Sequence, residues 1–133
     1  MIKKVHHIAI VVKSLDEALE LYGNLFGIKP SKIEMIQQQG VKAALLPMAE
    51  GGEIELLEPI DPQSGIAKFL ESRGEGIHHI CFEVENVDQE LCMLADKGVQ
   101  LIDKQGRLGL VGKVGFIHPK STKGVLIELA QKV

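Results

Sequence analysis

With 133 residues, 45% of them hydrophobic and 25% charged, the chain is long enough for one compact domain with a sizeable core and too short for two ordinary ones. A formal net charge of -3 excludes the strongly basic balance of a nucleic-acid binder and the composition of a disordered acidic tail. Apolar runs stay well below the roughly 18 residues that a membrane span requires, Met1-Ile2-Lys3-Lys4 leads straight into alternating sequence, and Cys81 and Cys92 form no C-x-x-C pair. A cytoplasmic protein with a small-molecule partner, and with no nucleic acid or membrane to bind, is therefore expected.

Val5-His6-His7-Ile8-Ala9-Ile10-Val11-Val12 alternates as a strand does. Ser14-Leu15-Asp16-Glu17 is a capping box, in which the first residue caps a helix and the fourth reaches back. That helix carries Leu15, Ala18, Leu19, Tyr22, Leu25 and Phe26 on one face and ends at Gly27. Alternating stretches near 32–38 and 41–48 flank a turn at Gln39-Gly40, and Glu53-Ile54-Glu55-Leu56-Leu57 reads as a further strand. Asp61-Pro62 and Ser64, ahead of Ile66, Phe69 and Leu70, predict a short helix over about 62–74 that ends near Arg73-Gly74.

The pattern then starts again. Ile77-His78-His79-Ile80-Cys81-Phe82-Glu83-Val84 repeats the first strand 72 residues on, and Asn86-Val87-Asp88-Gln89 repeats the capping box at the same spacing. Val87, Leu91, Leu94 and Ala95 form the apolar face of the second helix, which Gly98 ends. A strand near 99–104, a glycine-rich stretch at 106–115 and a strand near 113–118 follow. Leu126-Ile127-Glu128-Leu129-Ala130 closes the repeat 73 residues after its counterpart, which implies a small loop insertion. The expected organisation is one α+β domain over 1–133. Repeat one covers about 1–58, a linker helix about 62–74 and repeat two about 76–133, each repeat being a βαβββ module. Two such modules are expected to form a curved mixed sheet around a central metal cavity, with the helices outside.

Side chains two apart on a strand share a face. His6, Ile8, Ile10 and Val12 are the more apolar set and belong under the first helix, leaving His7 with Ala9 and Val11 on the other face. By the same parity His78, Ile80, Phe82 and Val84 face the second helix, and His79 faces away with Cys81 and Glu83. Ile54 and Leu56, like Ile127 and Leu129, point to the helices, so Glu55 and Glu128 point away. A single strand His is ordinarily a partly buried residue and a single strand Glu a solvated one. Recurrence of both at matched positions instead predicts a divalent cation held by His7, Glu55, His79 and Glu128. Two imidazoles and two carboxylates balance its charge and leave two octahedral positions for water or substrate oxygens. His6 and His78 are left as supporting donors or core residues.

These residues make the chain resemble the vicinal oxygen chelate (glyoxalase/bleomycin resistance/dioxygenase) superfamily, over nearly its whole length. The likeness is to its methylmalonyl-CoA epimerase branch, carried by His7-Ile8-Ala9-Ile10, Glu55-Leu56-Leu57-Glu58-Pro59, Gly76-Ile77-His78-His79-Ile80, and His118-Pro119-Lys120 ahead of Gly124-Val125-Leu126-Ile127-Glu128-Leu129. The resemblance implies metal ligation by the same quartet. It also implies an isomerase that interconverts the C2 epimers of methylmalonyl-CoA, expected to work through a metal-stabilised enolate; Glu128, on resemblance and position, is the first candidate base, and Glu55, related to it by the internal symmetry, is the second. Several epimerases have Gln where Glu55 stands, and some have a further carboxylate on the strand that here carries Lys42, Ala43 and Ala44. The identity of the second base is thus open.

Lys120, Ser121 and Lys123, with Arg107 and Lys113, are the candidates for the coenzyme phosphates, although each also reads as part of a solvated turn. Gly106, Gly109, Gly112 and Gly115 do not form a P-loop. Glyoxalase I is the alternative, with the same four ligands acting on a glutathione hemithioacetal; the His118-Pro119-Lys120 segment argues against it. A metal-free antibiotic-binding protein of the same fold is argued against by the complete quartet. The donor set suits Co, Ni, Mn or Zn equally, and an open sheet in so small a chain suits a homodimer.

Overall fold

The computed structural model describes residues 1–132. In chain order its elements are β1 (Ile2–Val11), α1 (Leu15–Phe26), β2 (Lys32–Ile36), β3 (Val41–Pro47), β4 (Glu53–Pro59), α2 (Gly65–Arg73), β5 (Gly76–Val84), α3 (Val87–Asp96), β6 (Arg107–Gly109), β7 (Gly112–Ile117) and β8 (Ile127–Gln131). Short 3-10 turns occupy Gln37–Gln39 and Pro119–Thr122. Two compact units result, Ile8–His78 and the combination of Met1–His7 with the chain from His79 onward. Their boundary passes through β1 and β5, so each of these strands has residues in both units.

In the unit Ile8–His78 the strand order is β2-β3-β4-β1. The β2–β3 and β3–β4 pairs are antiparallel, and Glu55 lies opposite Leu45. Helix α1 forms because Ser14 Oγ accepts the Glu17 N–H at 3.2 Å and the Glu58 carboxylate accepts the Leu15 N–H at 2.6 Å, satisfying donors that the first turn leaves without helical partners. Gly27, at φ 68, closes the helix by donating to the Gly23 carbonyl. Leu15 and Ala18 pack with Val12, Ala44, Leu46 and Leu56, joined by Ile10, Leu19, Tyr22 and Ile54, as strand parity requires. The expected apolar face is shorter than its pattern: Leu25 is 63% and Phe26 65% exposed, beyond the stripe that Leu15, Ala18, Leu19 and Tyr22 complete, and Phe26 packs edge-on against Tyr22. Helix α2 starts at Gly65, after Ser64 Oγ accepts the Ala67 N–H, so Asp61 and Pro62 form the turn before it and not its first residues.

The other unit has the order β1-β5-β8-β7-β6, with β5–β8 parallel and β8–β7–β6 antiparallel. Asn86 Oδ1 caps α3 through the Gln89 N–H at 2.9 Å. Val87 and Leu91 are sealed against Val84, Ile117, Ile127 and Leu129, with Ile80, Phe82 and Leu94 around them, whereas Ala95 is exposed. Cys81, Val114 and Ala130 pack on the opposite face. The strand expected near 99–104 is reduced to one bridge, Leu101 to Ile117, and β6 forms later, at Arg107–Gly109. The cause is Asp103, whose carboxylate takes the Phe116 N–H at 2.8 Å while the Phe116 carbonyl accepts both Ile102 and Asp103 N–H groups. A side chain thus does the work of a ladder partner and the chain turns away.

Gly40 holds the turn before β3 at φ 66, its carbonyl accepting the Ile60 and Asp61 N–H groups, and a Cβ there would lie 2.7 Å from the Asp61 Cβ. Gly27 has a similar φ with open space around it. Gly27→Ala is therefore expected to cost about 1–2 kcal/mol from backbone conformation, and Gly40→Ala a further ~1–3 kcal/mol from the clash. Urea unfolding of the two variants checks the order, and equal losses would dismiss the Asp61 contact as a constraint.

Candidate metal centre

The inward face of the second unit gathers its polar groups from three strands. Phe116 lies opposite Glu128 in the β7–β8 ladder and Cys81 beside it in the β5–β8 ladder, which fixes Glu128 between two strands. Glu128 is 7% exposed, His7 2% and His79 5%. One carboxylate oxygen, Glu128 Oε1, lies 3.1 Å from His7 Nε2 and 3.0 Å from His79 Nε2, and the two imidazole nitrogens are 3.2 Å apart. Burial opposes ionisation of Glu128, but hydrogen bonds from His7 and His79, reinforced by their charge, prevail and lower its pKa to about 2. At neutral pH the carboxylate is ionised.

This donor set fits a divalent transition metal. Ligands bonded at about 2.1 Å to a common cation stand roughly 3.0–3.4 Å from one another, which is the spacing of these three atoms. Imidazole nitrogen with carboxylate oxygen is the chemistry such a cation selects. Glu55 is likewise buried, at 5% exposure, on β4 of the other unit. Its place opposite Leu45 on the neighbouring antiparallel strand corresponds to that of Glu128 opposite Phe116.

The two neighbouring histidines separate. His6 is 7% exposed and turns its Nδ1 to within 2.9 Å of His7 Nδ1. His78 stacks edge-on against Phe69 of α2, ring centres 5.0 Å apart. Phe116 escaped sequence reading. Its ring meets that of His79 edge-on at 5.5 Å, and the Arg107 guanidinium lies 5.5 Å from its centre. The signal was available, since Phe116 shares strand parity with Val114, on the face of β7 that packs against Cys81.

The proposed phosphate contacts also divide. Arg107 adjoins Phe116 and donates from Nε to Asp103. Lys113 pairs with Asp88, which also accepts the Gly106 N–H and is held below the usual carboxylate range chiefly by that lysine. Gly115, of the same parity, sits against Leu91 of α3, so Lys113 lies on the helix side of β7. Lys120, Ser121 and Lys123 are exposed in the loop before β8, where Ser121 Oγ accepts the Gln100 N–H and His118 Nδ1 accepts the Lys120 N–H. His118 is thus the N-cap of the 3-10 turn at Pro119–Thr122.

The family profile of the Glyoxalase/Bleomycin resistance protein/Dioxygenase superfamily matches residues 6–116. The chain belongs to that superfamily. It is 39% identical to the mitochondrial methylmalonyl-CoA epimerase of Dictyostelium discoideum, over 98% of this chain and 80% of that protein. It is 36% identical to the ethylmalonyl-CoA/methylmalonyl-CoA epimerase of Cereibacter sphaeroides, over 98% and 99% respectively. A solved variant of the Streptomyces coelicolor methylmalonyl-CoA epimerase, in complex with 2-nitronate-propionyl-CoA, superposes with a TM-score of 0.91 at 34% identity, covering 100% of this chain and 99% of its own.

Removing one donor of a three-atom cluster should release the cation while leaving the hydrophobic packing intact. His79→Ala is expected to weaken Mn2+ or Ni2+ binding by more than about 100-fold, measured by chelator competition, with the far-UV spectrum unchanged. Affinity equal to that of the parent protein would place the metal elsewhere.

Proposed function

We propose that the chain is a metal-dependent methylmalonyl-CoA epimerase. The observation that carries this reading is the buried contact of one Glu128 oxygen with both His7 and His79, in a chain related over nearly its full length to enzymes of that name. Glu55 is proposed as the fourth ligand, because it is as buried as Glu128 and holds the equivalent ladder position in the first repeat.

The reaction removes the proton from the carbon between a thioester and a carboxylate and returns it to the opposite face. A bound Co, Ni, Mn or Zn ion supplies Lewis acidity at the oxygen where charge develops. Glu128 takes the C2 proton on its carboxylate and Glu55 returns one from the other side. Glu128 is ionised at neutral pH and so able to accept that proton; a carboxylate that also holds a cation would be a weakened base and would have to loosen that hold as the proton arrives. The acyl-CoA is held by its phosphates on Arg107, Lys120, Ser121 and Lys123. Lys113, engaged with Asp88, needs that pair to open before it could join them.

Among the described residues no helix is long and apolar enough to cross a membrane. A cytoplasmic location is proposed because Cys81 and Cys92 form no C-x-x-C pair and two cysteines supply no disulfide framework of the kind small secreted domains use. A homodimer is proposed from the exposed Ile33 and Met35 on β2, a strand at the edge of its ladder.

With metal-loaded protein in deuterated water, methylmalonyl-CoA is expected to exchange its C2 proton. Glu128→Gln should keep the fold and lose at least about 10²-fold of that rate. Turnover of a glutathione hemithioacetal without C2 exchange would overturn the epimerase reading in favour of glyoxalase I.

A further inference from the structure

We infer that His6 is a positioning residue that selects the metal-binding tautomer of His7. The inference rests on the metal-centre reading above and concerns a residue that supplies no ligand to it. His7 presents its two ring nitrogens to two different environments. Nε2 faces Glu128 Oε1 and His79 Nε2, whereas Nδ1 faces His6 Nδ1 at 2.9 Å, with the two rings nearly perpendicular at 83°. Two ring nitrogens at that distance share one hydrogen, so one donates and the other accepts.

A cation beside Nε2 needs its lone pair, which leaves the single proton of a neutral His7 ring on Nδ1. That N–H then donates to His6 Nδ1, and His6 carries its own proton on Nε2. The reverse arrangement, with His6 Nδ1 donating, puts the His7 proton on Nε2, where it points at Glu128 and blocks the cation. One hydrogen-bond direction therefore separates a ring turned toward Glu128 from a ring ready for metal.

Burial gives the contact its leverage. His6 is 7% and His7 2% exposed, and the Cys81 sulfur, in a residue with no exposed surface, lies within 4.8 Å of the donor atoms of both. Bulk water has little access to such a place, so exchanging the His6 nitrogen for a weaker or less well-placed acceptor costs His7 part of that hydrogen bond. His6→Phe keeps an aromatic ring and deletes the acceptor; His6→Asp is shorter but restores an acceptor.

The experiment has two parts. In the zinc-loaded parent protein, long-range 1H–15N correlation spectra are expected to show His7 protonated at Nδ1 and coordinating through Nε2. Zinc affinity by chelator competition should fall about 10- to 100-fold in His6→Phe and recover in His6→Asp. Coordination through Nδ1 in the parent would overturn the inference even if no variant folds, as would parent-like affinity in a folded His6→Phe. Failure of the parent protein to bind zinc would instead remove the metal-centre reading itself.

Discussion

The structure around the candidate site depends on keeping one charge inside a protein. Glu128 sits in a strand whose neighbours Ile127 and Leu129 are core residues, and its carboxylate is nearly cut off from solvent. A buried carboxylate is tolerated when cationic or hydrogen-bonding partners offset its desolvation. His7 and His79 provide them from two other strands, through the same oxygen. A divalent ion could replace the protons in those contacts, so the arrangement that stabilises the Glu128 carboxylate is also one that fits a cation.

That requirement links the repeat to the fold. Met1–His7 groups with the chain from His79 onward, and not with the helix that directly follows β1. His7 is thereby in the same compact unit as His79 and Glu128, while Ile10 and Val12 of the adjoining stretch pack under α1. One strand serves two purposes because its residues alternate in direction and because its two ends have different neighbours.

Side-chain competition and missing packing partners shaped the parts that departed from pattern. Asp103 captured the backbone of Phe116 and displaced β6 toward Arg107, so a stretch that alternates like a strand became a turn. As a result Arg107 came to lie over Phe116. The last turn of α1 kept its helical spacing and lost its burial, because periodicity gives the direction of a side chain and not whether anything faces it.

Much was legible in the residues alone. The internal repeat, the capping boxes at Ser14 and Asn86, the glycine stops and strand parity are local properties, and they were enough to put His7, His79 and Glu128 on a face turned from the helices. Strand pairing was beyond them, because it depends on contacts between residues far apart in the chain. Only the tertiary structure decided that Glu128 shares one oxygen between two imidazoles, that Phe116 stands at their edge, that Lys113 answers to Asp88, and that His6 turns to His7 while His78 turns to Phe69. Sequence fixes which way a side chain leaves its strand; what it meets there is set by the strands alongside.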